Sequence, residues 1–286
     1  MSPDEAFPFI FSIIFSLVAW GRWIYTARAL AGVDLAPGAR TRWRGVVPAA
    51  CTLSLAGLFC VLAFWASYDV RDSLVYMIFY LLIGAAVVPM GIGLLGWLGL
   101  SLRDDVIERR NPAARLALAG AVVGFSAAYA GSNIGDGPGW WVVLVCSGLA
   151  FGSLLAAWCV LAKICRVAER ITVERDEAAG LRTGAWFVAS GVILGRAAAG
   201  NWLGMAGAWN DFWHIAWGAW SLLVVALLFE AVLGGSGGAA TGGGRLRMAS
   251  VEAARMARPS LFARGVVPAL IQFGLAWLFL AFFGRW

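Results

Sequence analysis

LVYMIFYLLIGAAVVPMGIGLLGWLGL, residues Leu74–Leu100, runs without one charged side chain. As a helix rising about 1.5 Å per residue, this stretch exceeds the roughly 30 Å hydrocarbon core of a bilayer. It is apolar on every side, whereas a barrel strand would alternate apolar and polar residues over about 10 positions. A membrane-crossing helix is the reading. Seven further runs of roughly 20 mostly apolar residues are read the same way: Phe7–Ala27, Val46–Ala66, Ala114–Ala130, Trp140–Ala162, Gly184–Asn201, Phe212–Leu233 and Gly265–Gly284. The chain is therefore read as an all-α polytopic transmembrane helix bundle with eight spans in one domain.

Composition agrees. Of the 286 residues, 61% are hydrophobic and 13% charged, against about 45–50% and about 25% in soluble domains. Mean hydropathy is +0.80. A water-soluble globular enzyme, a disordered chain and a disulfide scaffold are all excluded. The abundant Trp and Gly suit membrane helices, where Trp collects at interfaces and Gly lets helices approach closely.

Basic residues fix an expected orientation. The connections after spans one, three, five and seven carry Arg28, Arg40, Arg42 and Arg44; Arg103, Arg109, Arg110 and Arg115; Lys163, Arg166, Arg170, Arg175 and Arg182; and Arg245, Arg247, Arg255, Arg258 and Arg264. The opposite side holds only Arg71, Arg196 and Arg285. By the positive-inside rule the odd-numbered connections are cytoplasmic and both termini lie outside. Arg22 sits near the inner end of span one, where it can snorkel. Asp4 and Glu5 ahead of that span, with Arg22 inside it, predict an uncleaved anchor. The net charge of +6 is dispersed over four short connections. Anionic lipid at the cytoplasmic arginines is its expected partner, not nucleic acid.

Cys51, Cys60, Cys146, Cys159 and Cys165 all fall in or beside apolar runs, without CxxC spacing. They read as small buried hydrophobes. Arg44-Gly-Val-Val-Pro-Ala49 and Arg264-Gly-Val-Val-Pro-Ala269 open spans two and eight from the same side. That is the pattern of a parallel repeat. Residues 234–264 hold a Gly-rich linker, Gly234–Gly244, and a basic segment, Arg245–Arg258, suited to the inner leaflet or to docking a partner.

Gly91-Ile-Gly-Leu-Leu-Gly96 spells GxGxxG, but inside a membrane helix, where close packing is the expected role; Gly120, Gly124, Gly191 and Gly195 read the same way. No P-loop or HExxH occurs, so the chain is not expected to be an enzyme. Two charges fall deep in spans, Arg196 and Glu230. Depth along their helices places them toward opposite leaflets, Glu230 within reach of cytoplasmic arginines. Around Arg196 the outer ends collect Asp136, Asp211, the sole histidine His214, and Trp202, Trp209, Trp213 and Trp217. This group is either an aromatic belt with ordinary polar caps, or an outer pocket. In the pocket, Arg196 pairs with Asp211 or Asp136 and tryptophans wall an apolar or cationic ligand. His214 could also serve as an axial ligand to a pigment or a hydrogen-bond partner to a quinone, which leaves the cofactor open.

RNPAARLALAGAVVGFSAAYAG, from Arg110, and ERITVERDEAAGLRTGAWFVASGVILGRAAAGNW, ending at Trp202, carry a resemblance. The stretch Arg109–Trp202 resembles the YjfL-like bacterial integral-membrane family of unknown function, whose members show Asn-x-Ala-Ala and Ala-Ala-Gly openings to Gly-spaced helices. Spans one, two, seven and eight and the linker fall outside it. The resemblance implies a multi-pass protein of the bacterial cytoplasmic (inner) membrane and transfers no site. The functional expectation is a non-catalytic scaffold, assembly or regulatory subunit of a membrane complex, with a protein partner. The alternatives are a small transporter or channel for an apolar or amphipathic solute, and a pigment- or quinone-binding subunit.

Overall fold

The computed structural model describes residues 3–29, 43–234 and 261–284. Most of the expected Gly-rich linker, and all of the basic segment Arg245–Arg258, lie outside the described residues. Among the described residues eight helical segments are long and apolar enough to cross a membrane, the eighth counted from Phe262 through the turn before its α-helix. They are α1 (Pro3–Ala29), α2 (Val46–Phe64), α3 (Leu74–Trp97), α4 (Pro112–Gly131), α5 (Trp140–Cys165), α6 (Glu177–Ala198), α7 (Met205–Gly234) and α8 (Val267–Phe283). A short helix, Val167–Thr172, and π-helical turns at Leu102–Glu108 and Phe262–Val266 lie in the connections.

The starts of α2, α4, α6 and α8 gather at one end, rich in arginine. Trp43 Nε1 donates to Glu177 at 3.0 Å, Asn111 Nδ2 donates to the Ile171 carbonyl at 2.8 Å, and Arg264 stands 3.6 Å from Asp176. At the far end, the Gly200 N–H donates to the Ile134 carbonyl at 2.8 Å, and Arg196 donates to the carbonyl of Gly284. Helices of like direction pack side by side. Along α1 and α3, Glu5 accepts from Tyr76, Ser16 reaches the Leu82 carbonyl and Trp20 the Ala85 carbonyl, in rising order. The parallel row α2–α4–α6–α8 is the spine of the bundle.

Its centre is the α4–α6 pair. In these two helices 89% and 83% of the apolar window is buried, against 17% in α1 and in α2. The pair is closed by main chain on main chain. A Cβ on Gly120 would lie 2.2 Å from the Gly184 carbonyl oxygen, one on Gly191 2.3 Å from that of Gly124, and one on Gly131 2.0 Å from that of Gly195. The packing role expected of Gly120, Gly124, Gly191 and Gly195 is what they perform. GxGxxG divides: Gly91 packs on Phe125, whereas Gly93 faces open space and Gly96 meets Ser101 only at ordinary contact.

The openings of α4 and α6 are built alike. Arg110 and Arg175 both adopt positive φ, 52° and 54°. The caps that follow, Asn111 and Asp176, accept from Ala113 and Ala114, and from Ala178 and Ala179. Their own N–H groups donate to the carbonyls of Asp105 and Arg170. This cap starts α6 at Glu177, earlier than the Gly184 expected from hydropathy, which brings Arg182 inside the helix. The two Arg-Gly-Val-Val-Pro-Ala copies open α2 and α8, which run in the same direction at opposite ends of the spine, α2 on α4 and α8 on α6.

Gly131→Ala is expected to destabilise the protein by about 1–3 kcal/mol, because the added methyl meets backbone and not a side chain that can turn away. Gly148→Ala, at a glycine with nothing within 4 Å, is the control and should leave the melting temperature in detergent unchanged or raised.

Candidate functional site

Near the end of α7, in a run otherwise made of Ala, Leu, Val and Phe, stands Glu230, with its side chain 3% exposed. Its carboxylate accepts from two guanidiniums, Arg170 on one oxygen and Arg182 Nε on the other at 2.7 Å. Arg170 comes from the short helix Val167–Thr172, and Arg182 from the second turn of α6. Arg170 continues to Asp176 at 3.1 Å, and Arg264, from the turn before α8, donates to the Leu233 carbonyl at 3.0 Å. Arg182 also donates to the Arg264 carbonyl. Gly234 lets the chain pass, since a Cβ there would lie 2.3 Å from Arg170 Nη1.

Three guanidiniums thus meet two carboxylates, and one positive charge is in surplus. Arg182 Nη2 and Arg264 Nε have no partner among the described residues. Burial pushes the Asp176 carboxyl up. The Ala179 N–H and the guanidiniums of Arg264, Arg182 and Arg170 outweigh that and leave it below its ordinary value. The arrangement is an electrostatic tie between the third helical hairpin, α5–α6, and the fourth, α7–α8. Farther along α6, the polar atoms of Thr183, Trp186 and Ser190, and Oε1 of Gln272 on α8, are buried without a partner among the described residues.

The expected outer group does not converge on one cavity. Arg196 donates to the main-chain carbonyls of Gly284 at 2.8 Å and Ala199 at 3.5 Å, and neither described bond goes to Asp211 or Asp136. The physical reason is that α8 ends beside α6 and presents a carbonyl with no partner in its own helix. Asp136 is exposed and takes part in a loop-to-loop link: its N–H donates to Asn201 and its carbonyl accepts from Trp202. Trp202 packs edge-on to Trp141 at 5.2 Å. Asp211 and Trp202 border a cavity of about 30 Å³, room for a single water. His214 is exposed on α7, together with Trp209, Trp213 and Trp217. Trp217 packs against Phe279 and Phe283, at 4.8 and 5.3 Å. These three tryptophans, four residues apart, lie along one exposed face of α7; amphipathic rings of this kind settle at bilayer interfaces.

Hydropathy placed Glu230 within reach of arginines but did not single out Arg170 and Arg182, which it counted among loop charges. The signal available was the cap: Asp176 two residues before Ala178-Ala179 marks a helix start that carries Arg182 inward.

A model of the family described as Domain of Unknown Function, DUF350, matches residues 42–198. The chain belongs to the DUF350 family. No curated protein and no solved structure matches it. The DUF350 match takes in α2 and α3 as well as the stretch from Arg109, so it reaches further toward the N-terminus than the resemblance did. Arg170, Asp176 and Arg182 fall inside the matched segment; Glu230 and Arg264 fall beyond it.

Glu230→Gln leaves the buried Arg182 without its counter-charge and Arg170 with Asp176 alone, and should cost about 3–5 kcal/mol. Glu108→Gln, which loosens an exposed pair with Arg103, should cost about 0–1 kcal/mol. Thermal unfolding in detergent reads both. Asp176 has its folded pKa depressed, so its contribution is present above the ordinary aspartate value of about 3.9 and is lost as pH falls below it. Asp176→Asn should flatten that acid limb of the stability profile.

Proposed function

We propose that this DUF350 protein is a non-catalytic integral membrane component that scaffolds, assembles or regulates a membrane complex in the bacterial cytoplasmic membrane. In this reading its arginine-rich end faces the cytoplasm, where it meets anionic lipid, and both termini lie outside. The observation that carries the proposal is the closure of α4 on α6, carbonyl against glycine, along the bundle axis. A solute path needs lined space, and the two most buried helices leave none between them. By contrast α1, α2 and α8 present broad apolar faces, with Phe7, Ile14, Leu17, Leu53, Trp277 and Phe282 all exposed. Lipid can cover such faces, and so can the apolar helices of a partner subunit.

A second reading, passage of an apolar or amphipathic solute, draws support from a lateral groove of about 390 Å³ between α2, α4 and α6. Small residues, Gly57, Gly131 and Gly195, line it, and Ser54 and Arg196 border it.

Purification from the native membrane in mild detergent distinguishes the two. The scaffold reading expects a protein partner retained in fixed stoichiometry. A partner-free, monodisperse protein would move the weight to solute passage. Orientation is tested separately: an N-terminal epitope should be cleaved by protease added to intact spheroplasts, whereas a site inserted beside Arg103 should be protected.

A further inference from the structure

The half of GxGxxG that does not pack has another use. Gly93 and Gly96 form one wall of a cavity of about 390 Å³ between α1, α3 and the turn that follows α3. A Cβ on Gly93 would meet nothing within 4 Å; the space is open because that wall lacks side chains. Arg22 of α1 and Arg103 of the turn line it, and Trp23 and Trp97 flank them. Trp97 is 90% exposed. The wall formed by α1 is held in place one turn away, where Trp20 donates to the Ala85 carbonyl at 2.9 Å and packs edge-on to Trp23 at 5.3 Å.

Arg22 lies six residues before Arg28 within a membrane-crossing helix, about 9 Å deeper along the axis. Its carbonyl accepts from Thr26 Oγ1 at 2.8 Å, and its guanidinium makes no hydrogen bond or ion pair among the described residues. A guanidinium there snorkels toward the headgroup level, where an anion can meet it, and phosphate matches its planar fork. Arg103 binds Glu108 through Nε at 2.9 Å. Asp104 is the one carboxylate among the lining residues. With Glu108 on Arg103 and Asp104 at the lining the remaining charges balance, and Arg22 is the lining guanidinium that no carboxylate pairs with among the described residues, which complements one phosphate. Asp104 and Ser101 at the rim can accept hydrogen bonds from headgroup hydroxyls. The tryptophans offer the amphipathic surface that settles at the headgroup boundary.

We propose that this cavity binds the headgroup of an anionic, hydroxyl-bearing phospholipid, of the phosphatidylglycerol type, from the leaflet at the arginine-rich end. Arg22 and Arg103 hold the phosphate, and the acyl chains run along α3 past Ile92. A volume near 390 Å³ falls within the roughly 300–1,000 Å³ of small-molecule sites. The proposal rests on the chain being membrane-embedded and not on the scaffold role, so loss of a protein partner would leave it standing.

The test uses the full-length, delipidated protein in mild detergent, titrated with phosphatidylglycerol and read by native mass spectrometry. One lipid should bind in preference to later ones. Arg22→Gln should weaken that first event about tenfold or more, and Gly93→Leu, which fills the cavity and leaves every charge in place, should do the same. Arg28→Gln, on the same helix but outside the cavity, should bind as the parent does. Equal first-site affinity in the parent, Arg22→Gln and Gly93→Leu would overturn the proposal, as would equal affinity for phosphatidylcholine. Full competition by soluble glycerol phosphate would also overturn it, because the site would then take free phosphate and not a membrane lipid.

Discussion

Two helices can approach until their backbones touch only where neither carries a side chain at the crossing. In α4 and α6 that condition is met repeatedly, by Gly120, Gly124 and Gly131 on one helix and Gly184, Gly191 and Gly195 on the other. In lipid there is no hydrophobic force to press helices together, since the tails are as apolar as leucine. Association depends on dispersion between closely fitted surfaces and on weak Cα–H···O contacts, both steep in distance. The rest of the bundle follows from this pair. α2 and α8 extend the spine on either side, α3 and α5 pack across it, and α1, α2 and α8 keep broad apolar faces exposed.

The polar chemistry is arranged around that rigid centre. Asp176, through its cap, fixes where α6 begins, and the start of α6 fixes the height of Arg182. At that height Glu230 of α7 and Arg170 from the preceding connection converge. Taking ions out of water is costly, so the tie need not add stability relative to an apolar substitute. What it supplies is a register: α7 can meet α6 at only one height without stranding a charge. At the far end, Arg196 on the Gly284 carbonyl holds the last turn of α8 to α6 in the same manner.

Much of the fold was legible in the sequence. The eight spans, the all-α class, the packing role of Gly120 and Gly191, and the reach of Glu230 toward arginine were all derivable from run length, residue size and depth along a helix. The expected outer group illustrates the limit. Arg196, Asp136, Asp211, His214 and Trp202 share a level in the bundle, but sharing a level is not contact. The structure sends Arg196 to a helix end, Asp136 into a loop link and His214 onto an outward face.

By itself the sequence determined how many helices cross the membrane and which connections are basic, because bilayer thickness and charge are tested one segment at a time. Only the tertiary structure decided which helices lie at the centre and which charges meet. Glu230 finds Arg182 across 48 residues and Arg170 across 60. In water, a helix marks its buried face by an apolar stripe. In lipid both faces are apolar, so the stripe vanishes, and neighbours are chosen by the fit of small residues to a distant backbone.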